Sequence, residues 1–390
     1  MMTTELPDDY YSLLPLAQGR TAAMEYLRRP GPVYKMGNTW VITSYDGVRF
    51  AQKNPALFSS AKAFDGVANA IQMIPLAIDP PKHADYRRVL DPMFGPKRMA
   101  AMDADLRAQL RGHIDVFAPT GRCDVVADLS YKFPTQAILT LFGLPLEHLP
   151  QFLDWVSGII KDREVGSLDG EASPRVIESS IALFGFLAEQ LEIKRSHPGN
   201  DMLSSVLALD GDDAWTDAEI LGLCFLIVLA GLDTVTGAIG YSLQTLAANP
   251  ELRQRLIADP ALITPFVEEV LRLDGPVPGV PRKTTADVEV EGVTIPADSP
   301  VLLMLGTANR EGSYAETPHE MNLTAKATHL GFGGGIHRCL GSHLARRELR
   351  LTIEEFHARI PEYRLAGEAE TLWPAGTFGL KSLPLEFEPC

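Results

Sequence analysis

The stretch Gly331-Phe332-Gly333-Gly334-Gly335-Ile336-His337-Arg338-Cys339-Leu340-Gly341 carries the strongest indication of fold and chemistry in this 390-residue chain. Three consecutive glycines allow a backbone to pass very close to a flat or bulky group. Apolar residues then recur at helical spacing as far as Ile360, which predicts a helix that starts right after Cys339. A helix N-terminus favours a thiolate, so this cysteine is predicted to be functional, although a lone cysteine is usually an inert buried side chain.

Phosphate is the other ligand that a glycine-rich loop before a helix can bind. No Gly-Lys-Ser/Thr follows this loop, and the glycine pattern of dinucleotide-binding loops fails at its spacing. The sequence therefore disfavours a phosphate site here.

A second long helix is predicted from about Thr216 to Ala248. Thr216 and Glu219 have the spacing of a capping box, and Pro250 closes the far end. Its middle reads Ala230-Gly231-Leu232-Asp233-Thr234, which is unfavourable in a buried helix. Either these polar residues reach a cavity water or a neighbouring loop, or the turn is distorted and a threonine hydroxyl replaces a backbone bond, which opens a groove.

Composition and charge narrow the class of protein. Hydrophobic residues make up 46% and charged residues 22%, as in ordinary globular proteins, which excludes intrinsic disorder. The formal net charge of −15 argues against a nucleic-acid-binding protein. The four cysteines share no short spacing, so neither a zinc site of the paired-cysteine type nor a disulfide framework is expected, and a reducing cytoplasm is the expected compartment.

No targeting segment and no membrane anchor are expected. The N-terminus has no basic region followed by an apolar run. The longest uncharged apolar stretch, Ile220–Leu232, has 13 residues, whereas a membrane-spanning helix needs about 20. This stretch is therefore predicted to be part of a buried core helix.

The order of periodic segments predicts a mainly α fold rather than a doubly wound sheet. Residues 32–46 alternate in the strand period around a Gly37-Asn38 turn, and 288–295 alternate around Glu291-Gly292. Helical periods dominate between them, up to the Pro/Gly loop at 274–281. We expect a single domain over 1–390, with a β-rich lobe at approximately 30–60 and 280–305 and a helical core at approximately 80–275 and 338–360.

Three motifs together identify a family resemblance. Phe332-Gly333-x-Gly335-x-His337-x-Cys339-x-Gly341 resembles the haem-binding loop of the cytochrome P450 family, and Ala230-Gly231-x-Asp233-Thr234 resembles its oxygen-activation motif. Glu269-Val270-Leu271-Arg272 resembles its Glu-x-x-Arg helix and lies between the other two. The resemblance covers essentially the whole chain and is to the soluble bacterial class, of the camphor hydroxylase type. It implies the cytochrome P450 fold, with haem b (iron protoporphyrin IX) buried between the long central helix and the cysteine loop.

The resemblance also implies roles for individual residues around the haem. Cys339 would be the iron ligand, with the amides of Leu340 and Gly341 directed at its sulfur and Phe332 shielding that face. The haem propionates would be bound by His83, Arg87, Arg282 and His337, whose alternative interpretation is ordinary surface charge. The Glu269–Arg272 pair would be structural.

On the oxygen side, Thr234 would hold the hydrogen bonds that direct protons, Asp233 would relay protons from outside, and Gly231 would leave room for dioxygen. The expected substrate is a small or medium apolar molecule held mainly by shape. Its pocket would be lined by side chains whose alternative role is plain core packing: Ile71, Met73, Ile74, Leu226, Ala230, Pro278, Val280 and Phe378.

Electrons must come from a partner, because no flavin, nicotinamide or iron–sulfur motif is present. We expect an iron–sulfur ferredoxin with a ferredoxin reductase, docked on a basic patch unless these charges are merely scattered and solvated. The patch would combine two clusters expected on the cysteine side of the haem, the first being Lys82, Arg87, Arg88, Lys97 and Arg98, and the second Arg338, Arg346, Arg347 and Arg350.

The function implied is that of a haem-thiolate monooxygenase, which inserts one atom of O2 into the substrate. Oxidative coupling or desaturation by the same chemistry is an alternative, and a non-catalytic haem protein that binds a ligand or senses gas is an alternative of another class. One departure concerns the arginine that in most relatives completes a network with the Glu-x-x-Arg pair, since 321–329 contains none. Lys326 is the candidate replacement, without the planar fork of arginine.

Overall fold

The computed structural model describes residues 20–64, 72–160, 173–312, 318–324, 328–372 and 377–390. Helices dominate it and small β-sheets accompany them, so the predicted mainly α fold is confirmed. The helices are α1 (Arg20–Arg28), α2 (Tyr45–Lys53), α3 (Lys82–Met93), α4 (Pro96–Ala100), α5 (Asp103–Phe117), α6 (Lys132–Phe142), α7 (Leu149–Ile160), α8 (Pro174–Ser196), α9 (Met202–Leu207), α10 (Asp217–Ala248), α11 (Pro250–Ala258), α12 (Ile263–Leu273), α13 (Leu305–Ala308) and α14 (Ser342–Arg359).

The long helix α10 runs through the helical core. It begins at the predicted capping box, in which the Glu219 backbone N–H donates to the Thr216 hydroxyl and the Glu219 carboxylate accepts from the Thr216 backbone N–H. By length and composition α10 could span a membrane. However, it packs against α6, α8, α12 and α14, as the central helix of a helical core does.

Of the two alternatives for the middle of α10, the structure favours an undistorted turn, because the helix is continuous through 230–234. The Thr234 hydroxyl instead donates to the carbonyl oxygen of Ala230 at 2.7 Å. A threonine that bonds back to the carbonyl four residues earlier satisfies its hydroxyl without breaking the helix.

The helix that follows the cysteine loop, α14, packs against α5, α10 and α12. Its buried face carries the apolar residues that predicted it, including Leu344, Leu349, Ile353 and Phe356. It begins at Ser342 rather than directly after Cys339, because Leu340 and Gly341 form a turn before the first helical residue.

The β-rich part is a five-stranded sheet that joins distant segments of the chain. Its order is β1-β2-β8-β5-β3, and β2 pairs with β8 in parallel, with Trp40 opposite Val301. The sheet packs with α2 around its own apolar cluster, which includes Ile42, Val48 and Leu303. The strands are β1 (Val33–Met36), β2 (Thr39–Ile42), β3 (Phe58–Ser59), β5 (Val280–Thr284) and β8 (Pro300–Leu303).

The remaining strands form three small sheets. The predicted turn at Glu291-Gly292 has positive φ at both residues, 50° and 76°, and connects a two-stranded hairpin. The other two sheets have the orders β4-β12-β9 and β10-β11. These strands are β4 (Arg122–Asp124), β6 (Val288–Val290), β7 (Val293–Ile295), β9 (Tyr363–Leu365), β10 (Glu370–Thr371), β11 (Leu380–Ser382) and β12 (Pro384–Phe387).

Candidate active site

A cavity of about 340 Å³, with a mainly apolar wall, lies where the cysteine loop meets the middle of α10. The cysteine loop contributes Phe332, Cys339, Leu340 and Gly341 to this wall. The segments after α12 and before α3 contribute to it as well. Two motifs that are about a hundred residues apart in the sequence therefore face one space.

Cys339 is held by its own loop. Its backbone N–H donates to the carbonyl oxygen of Phe332 at 2.9 Å, and the Gly341 backbone N–H donates to its sulfur. The side chain is open to the cavity but lies deep inside the protein. Burial raises the pKa of this thiol, against the opposing effects of the Gly341 amide and of Arg87, Arg346 and Arg338. A cation bound in the cavity would complete the stabilisation of the thiolate.

Two glycines of the loop are required by a contact with α2. A Cβ at Gly334 would overlap the Gln52 side chain, and a Cβ at Gly335 would overlap the Gln52 backbone carbonyl. Gly333 and Gly335 also have positive φ, 65° and 63°. The close approach that the glycines predicted thus exists, and the neighbour in the structure is the C-terminal turn of α2.

Four residues place donors or positive charge on the cavity wall: His83, Arg87, Arg282 and His337. The rings of His83 and His337 lie 4.4 Å apart, and the Nε2 atom of each is buried without a hydrogen-bond partner among the described residues. Burial lowers the pKa of Arg282 to about 10 and, with help from the Arg282 charge, that of His337 to about 3. Arg87 donates from Nη1 to the Arg338 carbonyl at 2.8 Å. Buried unpartnered nitrogens beside a buried guanidinium fit an anionic group, such as a haem propionate.

The α10 side of the wall contains Leu226, Ala230, Gly231 and Thr234. A Cβ at Gly231 would come within 3.1 Å of the Ile138 side chain, so this position leaves little room for a larger residue. Asp233 is not part of the wall, and its Oδ2 accepts from the Thr377 hydroxyl at 2.7 Å. The two residues proposed to act on oxygen therefore occupy different environments.

Only some of the expected pocket residues line the cavity. Leu226, Ala230 and Val280 line the cavity, and Ile71 lies outside the described residues. The other four do not line it, for reasons of local packing. Ile74 packs in a separate cluster with Ile78 and Tyr86, and Phe378 packs in the main core. Met73 belongs to a backbone turn, in which its carbonyl oxygen accepts from the Ala77 N–H, and the Pro278 carbonyl accepts from the Gly306 N–H of the distant α13.

Several wall residues were not found from the sequence. Leu223, Ile227 and Val235 share helical spacing with Leu226 and Ala230, so the face of α10 carried a usable signal. The residues from other elements meet this face only through the fold, and no local sequence pattern predicts them: Phe64, Pro75, Leu76, Phe94, Ile138, Leu141 and Val277.

Glu348 also lines the cavity, on the buried face of α14. Its side chain is almost fully buried, and burial raises its pKa well above the usual value. In the sequence, this residue is recognisable as an acidic side chain within the apolar stripe of the predicted helix.

The Glu269–Arg272 pair is buried and joined to backbone. Arg272 donates to the carbonyl oxygens of Asn309, Pro318 and Glu320, and Glu269 Oε2 accepts from the Asn322 backbone N–H at 2.8 Å. Lys326 lies outside the described residues. Backbone groups thus tie the segment before the cysteine loop to α12 without the arginine that most relatives have there.

Most cations of the expected basic patch are paired. Six of them form ion pairs with carboxylates: Arg346 with Glu268, Arg347 and Arg350 with Asp103, Arg88 with Asp213, Lys82 with Glu219, and Arg87 with Asp91. Arg98 donates to Asn200. Lys97 and Arg338 are exposed and have no ion pair among the described residues. The free positive charge on this side is therefore smaller than the sequence predicted.

Comparison with known proteins gives the same family from three directions. The family model for cytochrome P450 matches residues 183–357. A vitamin D(3) 25-hydroxylase of Pseudonocardia autotrophica is 32% identical over 93% of this chain and 92% of its own. Cytochrome P450 130 of Mycobacterium tuberculosis is 31% identical, over 89% and 88%.

Among solved structures, a mutant of P450 EryK in complex with erythromycin B superimposes with a TM-score of 0.87. It is 28% identical, and the match covers 95% of this chain and 97% of that one. The fold, the sequence identity and the residues at the cavity all indicate the same family. The chain belongs to the cytochrome P450 family, and is an oxygen-inserting oxidoreductase with haem b as its cofactor.

Proposed function

We propose that this protein is a haem-thiolate monooxygenase in which Cys339 ligates the iron and Thr234 controls proton delivery. It acts on a small or medium apolar organic substrate. The observation that carries the proposal is that Cys339 and Thr234 line the same mainly apolar cavity. When bound there, the haem supplies the redox chemistry by which dioxygen is split and one of its atoms is transferred to the substrate.

On the cysteine side, the loop holds the sulfur in place for the iron. The Cys339 backbone is fixed by Phe332, and the Gly341 N–H donates to the sulfur. A donor to the sulfur withdraws electron density from it, and a fixed loop keeps its orientation constant. Leu340 and Gly341 contribute the adjoining wall.

The propionates would be held by His83, His337, Arg282 and Arg87. The support for this is that both imidazoles have a buried nitrogen with no hydrogen-bond partner among the described residues. Arg282 is a buried cation beside them and donates to the Pro281 carbonyl at 2.6 Å. Each of these groups would donate a charge-assisted hydrogen bond to a propionate carboxylate.

Thr234 is placed to accept a hydrogen bond rather than to donate one. Its single hydroxyl hydrogen is used on the Ala230 carbonyl, so the oxygen offers only its lone pairs to a water in the cavity. A water held in this way donates one hydrogen to Thr234 and keeps its second hydrogen for the reacting oxygen. Asp233 would supply protons to this water from the Thr377 side, outside the cavity wall.

The apolar wall supports a substrate recognised by shape. Leu223, Leu226, Ile227 and Ala230 form one continuous face of α10, and Val277 and Val280 add to it after α12. The same cavity also holds the haem, so the space left suits a small or medium molecule. Such pockets bind mainly by burial of apolar surface.

The electron donor would be an iron–sulfur ferredoxin, reduced by a ferredoxin reductase in the cytoplasm. Arg338 and Lys97 are exposed, and α4, which carries Lys97, packs against α14. Exposed cations in the cysteine loop and on the helix packed against α14 can steer an acidic partner even though the protein is acidic overall.

The test is turnover with isotopically labelled dioxygen. Compounds from an apolar library that shift the iron spin state would be incubated with the enzyme, a surrogate ferredoxin, its reductase and a nicotinamide cofactor. The proposal predicts products that carry one labelled oxygen atom. Unlabelled desaturated or coupled products would instead favour the alternative use of the same chemistry, and tight binding without electron consumption would favour a sensor.

A further inference from the structure

Arg346 stacks on the aromatic ring that begins the cysteine loop. Its guanidinium carbon lies 4.4 Å from the centroid of the Phe332 ring. Phe332 in turn holds Cys339, since its carbonyl oxygen accepts the Cys339 backbone N–H at 2.9 Å. A fixed positive charge is therefore linked to Cys339 through a single intervening residue, Phe332.

The orientation of Arg346 is set by Glu268 on α12. Arg346 donates to both carboxylate oxygens, from Nε at 2.6 Å and from Nη2 at 2.8 Å. Such a two-point contact fixes the plane of the guanidinium as well as its position. Burial would raise the pKa of Glu268, but hydrogen bonds from Arg346 and His329 outweigh it and lower the pKa to about 2. The carboxylate is therefore charged at neutral pH.

His329 holds the carboxylate from the other side. Its Nδ1 accepts the Gly331 backbone N–H at 2.9 Å, so the ring hydrogen is on Nε2, which lies 3.0 Å from Glu268 Oε2 and donates to it. The His329 ring also lies 5.9 Å from that of Phe332. One chain of contacts thus runs from His329 through Glu268 and Arg346 to Phe332.

We propose that Arg346 is a positioning residue for the proximal side of the haem, held by Glu268 and His329, and that its charge raises the reduction potential of the iron. This inference rests on the proposed ligation of iron by Cys339. Reduction adds negative charge to the centre, and a cation fixed nearby in a low-dielectric surrounding favours the reduced form.

A matched control is available next to it on α14. Arg347 is bound to Asp103 at 3.1 Å, and its side chain is 20% exposed, against 28% for Arg346. Its partner Asp103 begins α5, whereas Glu268, the partner of Arg346, lies on α12. Arg346→Gln and Arg347→Gln each remove one positive charge from the same helix, and only the first removes it from Phe332.

The experiment is a dye-coupled redox titration of the substrate-free holoenzyme, with no ferredoxin present. We expect a more negative potential for Arg346→Gln than for wild type, no comparable shift for Arg347→Gln, and substantial recovery with Arg346→Lys. Equal potentials for the two glutamine variants would overturn the inference. Should Arg346→Gln lose haem, Glu268→Gln decides, because removal of the carboxylate while Arg346 remains should make the potential less negative. No shift, or a shift in the opposite direction, would contradict the proposal.

The wild-type spectrum separates this inference from the proposed function. If the reduced carbon monoxide complex of the wild type lacks the red-shifted Soret band of a thiolate ligand, the proposed function fails. If the band is present and the potentials of the variants do not differ as described, only the role of Arg346 fails.

Discussion

Glu269 and Arg272 form a two-point ion pair inside the protein, with 2.7 Å between Oε1 and Nε and 2.8 Å between Oε2 and Nη2. Their residues are 6% and 2% exposed. Removal of one partner from a buried pair leaves an uncompensated charge, which costs about 3–5 kcal/mol. We predict that Glu269→Ala lowers the free energy of unfolding by that amount and yields little or no haem-loaded protein, measured by denaturant titration and haem absorbance.

An exposed pair with the same sequence spacing provides the control. Glu192 and Arg195 on α8 are also three residues apart, but the Glu192 side chain is 70% exposed. Exposed pairs contribute about 0–1 kcal/mol, so Glu192→Ala should fold and load haem normally. A melting temperature of Glu269→Ala equal to that of Glu192→Ala would show that the buried pair is dispensable.

Features that depend on neighbouring residues in the sequence could be predicted, whereas the inner wall of the cavity could not. The capping box at Thr216, the hairpin turn at Glu291 and the cysteine loop all depend on residues close together in sequence, and each was predicted. Ile138 reaches the cavity only because α6 packs on α10, and no local pattern records such a contact.

The pairing of surface charges is the second feature that could not be predicted from the sequence. The sequence places Arg346 in a basic cluster, but in the structure it forms an ion pair with Glu268, 78 residues earlier. Three consecutive glycines predict a close approach, and the neighbour of Gly334 and Gly335 in the structure is Gln52, which lies on a distant helix. Sequence patterns identified which residues are unusual, and the fold decided what they contact.

Glu348 gives a prediction for the pH dependence of stability. Burial raises its folded-state pKa well above the usual value. As pH rises above that usual value, the unfolded chain releases the proton while the folded chain retains it, so stability falls with rising pH. Glu348→Gln should therefore be more stable than wild type at neutral pH, with little difference in acid, as measured by urea unfolding at several pH values. A constant difference between the two proteins across this range would contradict the assignment.

The donor-docking surface is tested most sharply by substitution of Arg338. It is exposed beside the cysteine loop, whereas Arg346 and Arg347 are engaged in ion pairs. Arg338→Glu should slow the first electron transfer from an acidic ferredoxin several-fold at low salt and flatten its salt dependence, because steering by charge is screened. Stopped-flow reduction would measure this, with substrate affinity unchanged.

The control for Arg338 is another exposed arginine at the far end of α14. Arg364 follows this 18-residue helix, which is about 27 Å long. Arg364→Glu should transfer electrons at the wild-type rate. Equal rates for both charge reversals would mean that the donor docks elsewhere.

Thr234 should govern coupling more than electron consumption. Thr234→Ala removes the acceptor oxygen in the cavity but leaves the apolar wall intact, so substrate should still bind and shift the spin state. We expect near-normal nicotinamide consumption, a large loss of product and a matching rise in hydrogen peroxide, each measured per cofactor oxidised. Thr234→Ser, which keeps the hydroxyl, should restore most of the coupling.

Asp233→Asn serves as the contrasting variant, because it removes the proposed relay beside Thr377 rather than the acceptor in the cavity. It should slow the whole cycle while each turnover stays largely coupled. Wild-type coupling in Thr234→Ala would show that another group, or the substrate itself, directs the protons.

The most direct test of the central claim is the absorbance spectrum of the reduced carbon monoxide complex. Cys339 is the one cysteine on the wall of the cavity, since Cys123 and Cys224 are buried elsewhere in the core and Cys390 donates to the Arg359 carbonyl near the C-terminus. Wild type should show the red-shifted Soret band of a thiolate ligand, and so should Cys123→Ala, Cys224→Ala and Cys390→Ala, whereas Cys339→Ala should lose it. Retention of the band in Cys339→Ala would contradict the account.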